Sequence, residues 1–263
     1  MKTIIITGIS SGFGNHITTK LLNDGYRVIG TIRNISDKNN LEFIDHQNFK
    51  LALLDLSSKE SVENFVSSTS NEEVYSLINN AGYAIAGSLE EVEFNDIQTG
   101  FTVNVLHPIL LTQLLLPKIR DQKGVIVNIS SLLGIKSQAG LGVYSSFKFA
   151  IEGLSESLKL EMEKFDVKVA LIEPGPFQTN FVNRISETPD SVLEDYKNNS
   201  ATKLKELYLE NNHNRESNLD LIYEAVVAAL DKSQNDFRIM VGKYSDTMRS
   251  KKIDDLKSAK IIN

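Results

Sequence analysis

Three side chains between positions 131 and 148 have chemistry that the rest of the chain must position: the hydroxyl of Ser131, the phenol of Tyr144 and the ammonium of Lys148. Tyr144 and Lys148 are four residues apart at the head of a stretch continuing FAIEGLSESLKLEMEKF, whose spacing predicts a helix. On a helix that interval puts phenol and ammonium on one face. A phenol with a pKa near ~10 is a poor acid or base at neutral pH, but a neighbouring cation favours the phenolate and brings it toward the working range. The pair is therefore a candidate proton donor and acceptor. Tyr and Lys at this interval also occur on plain solvated helix faces, so the surrounding elements must decide.

Those elements alternate. Thr3–Thr7 is a short run of β-formers, the pattern of a strand covered on both faces, and the loop GISSGFG follows with Gly8, Gly12 and Gly14. The run NHITTKLLNDGY then reads as a helix ending at Gly25. A glycine-rich strand-to-helix turn lets backbone N–H groups approach a pyrophosphate at a helix N-terminus, although the spacing GxxxGxG differs from GxGxxG and a tight turn without ligand has the same look. RVIGTI (27–32) reads as a second strand, with Thr31 near its end and Arg33 directly after it. Arg33 together with Ser11 could grip a ribose 2′-phosphate, or Arg33 could be a surface residue; Asp37 is a weaker candidate for a ribose-binding acid.

Strand three, KLALL (50–54), leads to Asp55 and Leu56; the Asp55 carboxylate could accept from an adenine amino group or cap a helix starting near Ser58. Strand four (74–78) is followed by Asn79, Asn80, Ala81 and Gly82, small residues where a ligand can come close. Residues 89–116 read as one long helix with Asn104 near its middle and Pro108 implying a kink; Asn104 is either buried with a partner or solvated. Strand five (124–129) runs into Ser130 and Ser131, and strand six (167–172) ends at Pro174 and Gly175, with Thr179 placed to reach a cofactor amide or phosphate. The polar stretch 180–218 is long enough to be a substrate lid. A helix (219–230) and a short strand (237–241) follow, and from Tyr244 the chain reads as a basic, mobile end.

About six β-α repeats and a terminal strand predict an α/β fold, a doubly wound parallel sheet with helices on both faces, as a single domain over 1–263. Every candidate site falls at or just past the carboxyl end of a strand, where such sheets bind ligands. With 28 basic and 34 acidic residues the net charge is −6, which argues against a nucleic-acid partner. There is no cysteine, hence no disulfide, thiolate metal site or thiol nucleophile, and the four histidines have no metal-ligand spacing. No run approaches the roughly eighteen consecutive apolar residues that span a bilayer, and MKTIIITG is too short for a signal segment, so no membrane association and a cytoplasmic location are expected.

The chain resembles the classical short-chain dehydrogenase/reductase family, a Rossmann-type fold, through TGISSGFG (7–14), Asp55-Leu56, NNAG (79–82), Asn104, Ser131, YSSFK (144–148) and PGPFQT (174–179). The wording TIRN after strand two and KFAIEGLSESL after Lys148 is most similar to the 17β-hydroxysteroid and retinol dehydrogenase-like branch. The resemblance implies a catalytic set of Asn104, Ser131, Tyr144 and Lys148. It implies a cofactor site of Gly8, Ser10, Ser11, Gly12, Phe13, Gly14, Arg33, Asp55, Leu56, Asn80, Ala81, Gly82, Tyr144, Lys148, Pro174, Gly175, Phe177 and Thr179, with no metal. It further implies NADP(H) in preference to NAD(H), a lipophilic carbonyl or alcohol substrate, and a homodimer or homotetramer. Tyr144 would exchange the proton, Lys148 would bind the nicotinamide ribose, Ser131 would donate to the substrate oxygen and Asn104 would hold a water linking Lys148 to solvent. Phe13 stands where the family usually has Ile or Leu, and Phe147 where Ala or Ser is common; both bear on packing. A cofactor-sensing binding protein on the same fold is the alternative, disfavoured because such proteins usually lose the Tyr/Lys pair.

Overall fold

The structure is a computed structural model and describes residues 1–181, 185–186, 196, 201–210 and 214–258. Much of the expected lid at 180–218 therefore lies outside the described residues. In chain order the elements are β1 (Thr3–Thr7), α1 (Gly12–Asn23), β2 (Arg27–Ile32), β3 (Phe49–Leu53), α2 (Lys59–Ser68), β4 (Ser76–Asn79) and β5 (Ala84–Ile85). There follow α3 (Phe94–Phe101), a π turn (Thr102–Leu106), α4 (His107–Asp121), β6 (Val125–Ile129), α5 (Gly142–Met162) and β7 (Lys168–Pro174). The last elements are β8 (Ile185–Ser186), α6 (Ala201–Glu210), α7 (Asp220–Leu230), β9 (Arg238–Val241) and α8 (Ser245–Lys257).

Seven strands form one sheet in the order β3-β2-β1-β4-β6-β7-β9, and every pairing is parallel. Alternation along β1 divides the interior. Ile4 and Ile6 enter a core with Ile17, Leu21 and Leu22 of α1 and Ile222, Val226 and Ala229 of α7. Ile5 enters another with Val62 and Phe65 of α2, Leu111, Leu115 and Ile119 of α4, and Leu158 and Met162 of α5. Strands with both faces covered must be apolar throughout, which is why they are legible as unbroken apolar runs. Strand order reverses between β1 and β4, so their carboxyl ends leave a crevice where the chain departs in opposite directions.

Four expectations need correction. The long helix starts at Phe94 rather than near residue 89, because Ser88 instead receives turn hydrogen bonds from the amides of Glu91 and Val92. Its irregularity is a π turn at Thr102–Leu106, just before Pro108, whose ring and missing N–H are incompatible with a regular i to i−4 bond. The span Phe94–Asp121, 28 residues long with an 18-residue stretch of mean hydropathy 1.3, is also long and apolar enough, by length and composition, to cross a membrane. Leu111, Leu115 and Ile119 of this span are fully buried against the sheet, while Phe94, Leu106 and Leu114 are exposed, so core packing accounts for one face of it. Ser245–Lys257 is a helix, α8, tied to the rest of the fold by the ion pair Lys136–Asp255 and by Lys252 over the Phe149 ring. It lacks an apolar stripe and so gives no periodic signal in the sequence.

Candidate active site

At the β1 end, Gly8 turns at φ +74 and its N–H donates to the Thr31 carbonyl at 3.1 Å. α1 begins at Gly12 (φ +60), earlier than Asn15 as expected, so Gly14 lies inside its first turn. A Cβ on Gly14 would sit 2.3 Å from the Gly8 carbonyl oxygen; only glycine lets the helix close onto the loop this tightly. The loop after β4 is laced to it. Thr7 Oγ1 accepts from the amides of Asn80 and Ala81, both at 3.0 Å, and Asn80 Nδ2 donates to the Thr7 and Gly8 carbonyls at 2.8 and 3.0 Å. These bonds tie the glycine turn to the loop after β4 beside the N-terminus of α1, a cradle that can accept a pyrophosphate.

On the other side of the crevice, α5 delivers Tyr144 and Lys148. Lys148 Nζ donates to the Ile129 carbonyl at 2.9 Å and lies 5.7 Å from the centre of the Tyr144 ring. Burial pulls the Lys148 ammonium down to about 8 from its usual 10.5, and the Glu152 carboxylate opposes that fall. Ser131, just past β6, is held by its Oγ accepting from the Leu133 amide at 3.1 Å. Asn104 is buried: its Nδ2 donates to the Gly100 carbonyl at 2.9 Å and its Oδ1 accepts from the Tyr83 amide at 3.1 Å. Both ends of the side-chain amide are thus engaged. Each end still has capacity for a second bond, and Asn104 lines the cavity described next.

One cavity of about 690 Å³ joins the two sides. Asn104, Ser131, Tyr144 and Lys148 all line it, together with Gly8, Ser11, Gly12, Phe13, Asn80, Ala81, Gly82, Pro174, Gly175, Phe177 and Thr179. Five expected cofactor contacts are not in that lining. Ser10 is a half-buried loop residue, Gly14 packs behind the loop, and Arg33 is exposed beyond β2. Leu56 is buried in the second core, with its carbonyl 2.7 Å from His107 Nδ1. Asp55 Oδ1 accepts from the amide and hydroxyl of Ser57, both at 2.8 Å, while Ser58 caps α2, so the capping reading of Asp55 fails because Ser58 does that work. Sequence reasoning missed the contribution of α8, whose Thr247, Met248 and Lys251 line the cavity. It also missed the small sheet of β5 and β8 beside it. A two-residue strand has too little pattern to be seen, and α8 was concealed by its polar composition.

A profile of short chain dehydrogenases matches residues 2–190. The chain belongs to the short-chain dehydrogenase family. Family members use nicotinamide cofactors, and the cradle, the crevice and the glycine packing described above fit such a group. Retinol dehydrogenase 8 from Bos taurus is 34% identical over 194 residues, 71% of this chain and 62% of that protein. The chain thus spans less than two thirds of that relative's length. A 3-ketodihydrosphingosine reductase from Bacteroides thetaiotaomicron is 35% identical over 209 residues, 78% of this chain and 75% of that one. Among solved structures, a short-chain dehydrogenase from Streptomyces avermitilis superposes with TM-score 0.85 at 29% identity, over 98% of this chain and 93% of its own. Short-chain dehydrogenases from Burkholderia cenocepacia in complex with NADP (TM-score 0.76, 19% identity, 98% and 97% covered) and Burkholderia phymatum in complex with NAD (TM-score 0.83, 20% identity, 100% and 96% covered) share the fold.

Proposed function

We propose that this short-chain dehydrogenase interconverts a ketone or aldehyde with an alcohol on a lipophilic small molecule, preferring NADP(H) to NAD(H). The observation that carries this reading is that Ser131, Tyr144 and Lys148 line the same cavity as the glycine cradle. When bound, the nicotinamide supplies or accepts the hydride. The chain's own residues do the rest. Tyr144 gives its phenol proton to the carbonyl oxygen in reduction and takes one from the hydroxyl in oxidation. Ser131 Oγ donates to that oxygen as negative charge develops on it. Lys148, buried and anchored on Ile129, favours the ionised phenol and holds the ribose, and Asn104 positions a water linking Lys148 to solvent, through which the proton is replenished. Arg33 is exposed just past β2, where a guanidinium can meet a ribose 2′-phosphate, and this favours NADP(H).

The lipophilic substrate is supported by Leu133, Leu141, Phe181, Ile185 and Met248 along the cavity and by the retinol and ketosphingosine names of the relatives. A homodimer or homotetramer is supported by exposed apolar side chains on the long helix and α5, among them Leu106, Leu114, Phe149 and Leu160. A cytoplasmic location is part of the same proposal. The test is fluorescence titration with NADPH and NADH, then a panel of carbonyl compounds followed by nucleotide absorbance. NADPH should bind more tightly, and Tyr144→Phe should retain binding while losing turnover by orders of magnitude. Binding without turnover of any carbonyl or alcohol would favour the cofactor-sensing alternative, and an unchanged rate in Tyr144→Phe would remove the phenol from the reaction.

A further inference from the structure

Outside the cavity lining lies a group of charges, two of them buried carboxylates, that the reaction proposed above does not use. Glu152 follows Lys148 by one helical turn on α5 and is 5% exposed; Glu173, at the end of β7, is 0% exposed. Both are gathered by Arg238 of β9. Its Nη1 donates to Glu173 Oε1 at 2.8 Å and to Glu152 Oε2, and its Nη2 reaches Glu156 at 3.5 Å at the outer edge. The Phe237 ring packs 5.1 Å from the guanidinium. Two buried carboxylates thus share one guanidinium nitrogen, and among the described residues no N–H or hydroxyl donates to Glu152 Oε1 or Glu173 Oε2. A Cβ on Gly134 would lie 2.7 Å from Ser130 Oγ and 3.0 Å from Glu152 Oε1, so glycine there lets the chain carrying Ser131 close directly over the carboxylate.

A packing role alone does not call for this arrangement, because an apolar replacement of similar volume would avoid the desolvation of two carboxylates, which Arg238 reaches from the exposed start of β9. What the arrangement does have is a place one helical turn from Lys148 on the same face of α5, where both side chains are buried. We propose that Glu152 is a positioning residue that keeps Lys148 charged, and that Arg238 and Glu173 set how much of the Glu152 charge the lysine feels. The proposal rests on the role given to Lys148 above.

The charged groups facing Glu152 are Lys148 and Glu156 from α5, Glu173 from β7 and Arg238 from β9, while the connection from β6 brings the uncharged Ser130 and Gly134. Burial and repulsion from Glu152 push Glu173 up to about 7 against the pull of Arg238. Below that pH Glu173 is neutral and Arg238 is free to offset Glu152. Above it Glu173 competes for the guanidinium, the Glu152 charge is less offset, and Lys148 keeps its proton to higher pH.

The test is a direct titration of Lys148 in the full chain labelled with 13C-lysine, following its Cε resonance by NMR and assigning it by its loss in Lys148→Met. Glu152→Gln should lower the midpoint by about one pH unit or more, roughly tenfold in the ratio of charged to neutral amine, and Glu152→Asp should recover most of it. Arg238→Gln should move the midpoint the other way. Opposite signs are the signature of an electrostatic role, because loosened packing would hydrate the lysine and raise both midpoints. An unmoved midpoint in Glu152→Gln, or shifts of one sign in both variants, overturns the proposal. If Glu152→Gln does not fold, Glu173→Gln decides it: with residue 173 always neutral Arg238 offsets Glu152 in full and the Lys148 midpoint should fall, whereas loosened packing would raise it, and a rise overturns the proposal. The titration needs no substrate, so its outcome is separate from the Tyr144→Phe turnover test.

Discussion

Phe147 and Gly100 form a matched pair whose coupling can be measured. Phe147, at a position where small residues are usual in the resembling family, is 0% exposed and stacks edge-on with Phe101 at 4.8 Å. It fits because α3 presents Gly100 to it: a Cβ there would lie 2.4 Å from Phe147 Cζ and 2.7 Å from Ile85 Cδ1. In isolation Gly→Ala inside a helix gains about 1 kcal/mol of propensity, whereas forcing a methyl into a filled core costs about 1–3 kcal/mol. With an overlap this close the steric cost should prevail, and Gly100→Ala should destabilise the protein by about 1–2 kcal/mol net. Phe147→Ala should cost about 3–5 kcal/mol through lost burial and the cavity left behind.

In the Phe147→Ala background the main obstruction is gone. The flexible end of Ile85 can give way, so Gly100→Ala should there stabilise by about 1 kcal/mol, the propensity gain. The coupling is then about 2–3 kcal/mol, well above the ~0.5 kcal/mol within which independent sites add. Urea unfolding of the four proteins, followed by far-UV circular dichroism and fluorescence, yields all four values. Gly100→Ala having the same sign and size in both backgrounds would refute the packing argument. The pair also matters for the site, since Gly100 holds the Asn104 side chain and Phe147 lies between Tyr144 and Lys148 on α5.

Three further outcomes are expected. Gly14→Ala drives a methyl to 2.3 Å from the Gly8 carbonyl oxygen, which is backbone and cannot swing aside, so NADPH affinity by fluorescence should fall more than tenfold, a loss of roughly 1.4 kcal/mol or more; an unchanged affinity would show that the loop is not the cradle. Arg33→Asp should weaken NADPH far more than NADH, and equal losses for the two would make Arg33 a bystander. Glu72 receives Arg27 and Lys50, and chiefly the Arg27 hydrogen bond holds its carboxyl down at about 2 from the usual 4.5. A folded-state pKa below the unfolded one contributes stability above about pH 4.5 that is lost as pH falls toward about 2, so the gap in melting temperature between the protein and Glu72→Gln should narrow over that window. A gap independent of pH there would contradict the ion-pair account.

Much of the sheet was legible in the chain because buried parallel strands must be apolar on both faces. Strand boundaries shifted by a residue or two, as at β3, found at Phe49–Leu53 rather than 50–54. The candidate site was legible where its chemistry depends on residue type: Ser131, Tyr144, Lys148, and glycines at positions no side chain can occupy. Asn104 was legible as a residue but not as a device. Its side-chain amide ties Gly100 to Tyr83, a contact between separate elements that no local pattern announces, and Pro108 marks an irregularity in the sequence without saying that it is a π turn.

By itself the sequence determined the order of strands and helices, the glycine turn after β1 and the phenol and ammonium one helical turn apart, because each of these depends on neighbours within a few positions. Only the tertiary structure decided that α8, polar and without periodicity, closes over the cavity, and that Glu152, Glu173 and Arg238 meet behind Lys148. Those contacts join residues 65 and 86 positions apart along the chain. Their energies arise from burial and shared charge, and neither quantity exists until the strands and helices have packed.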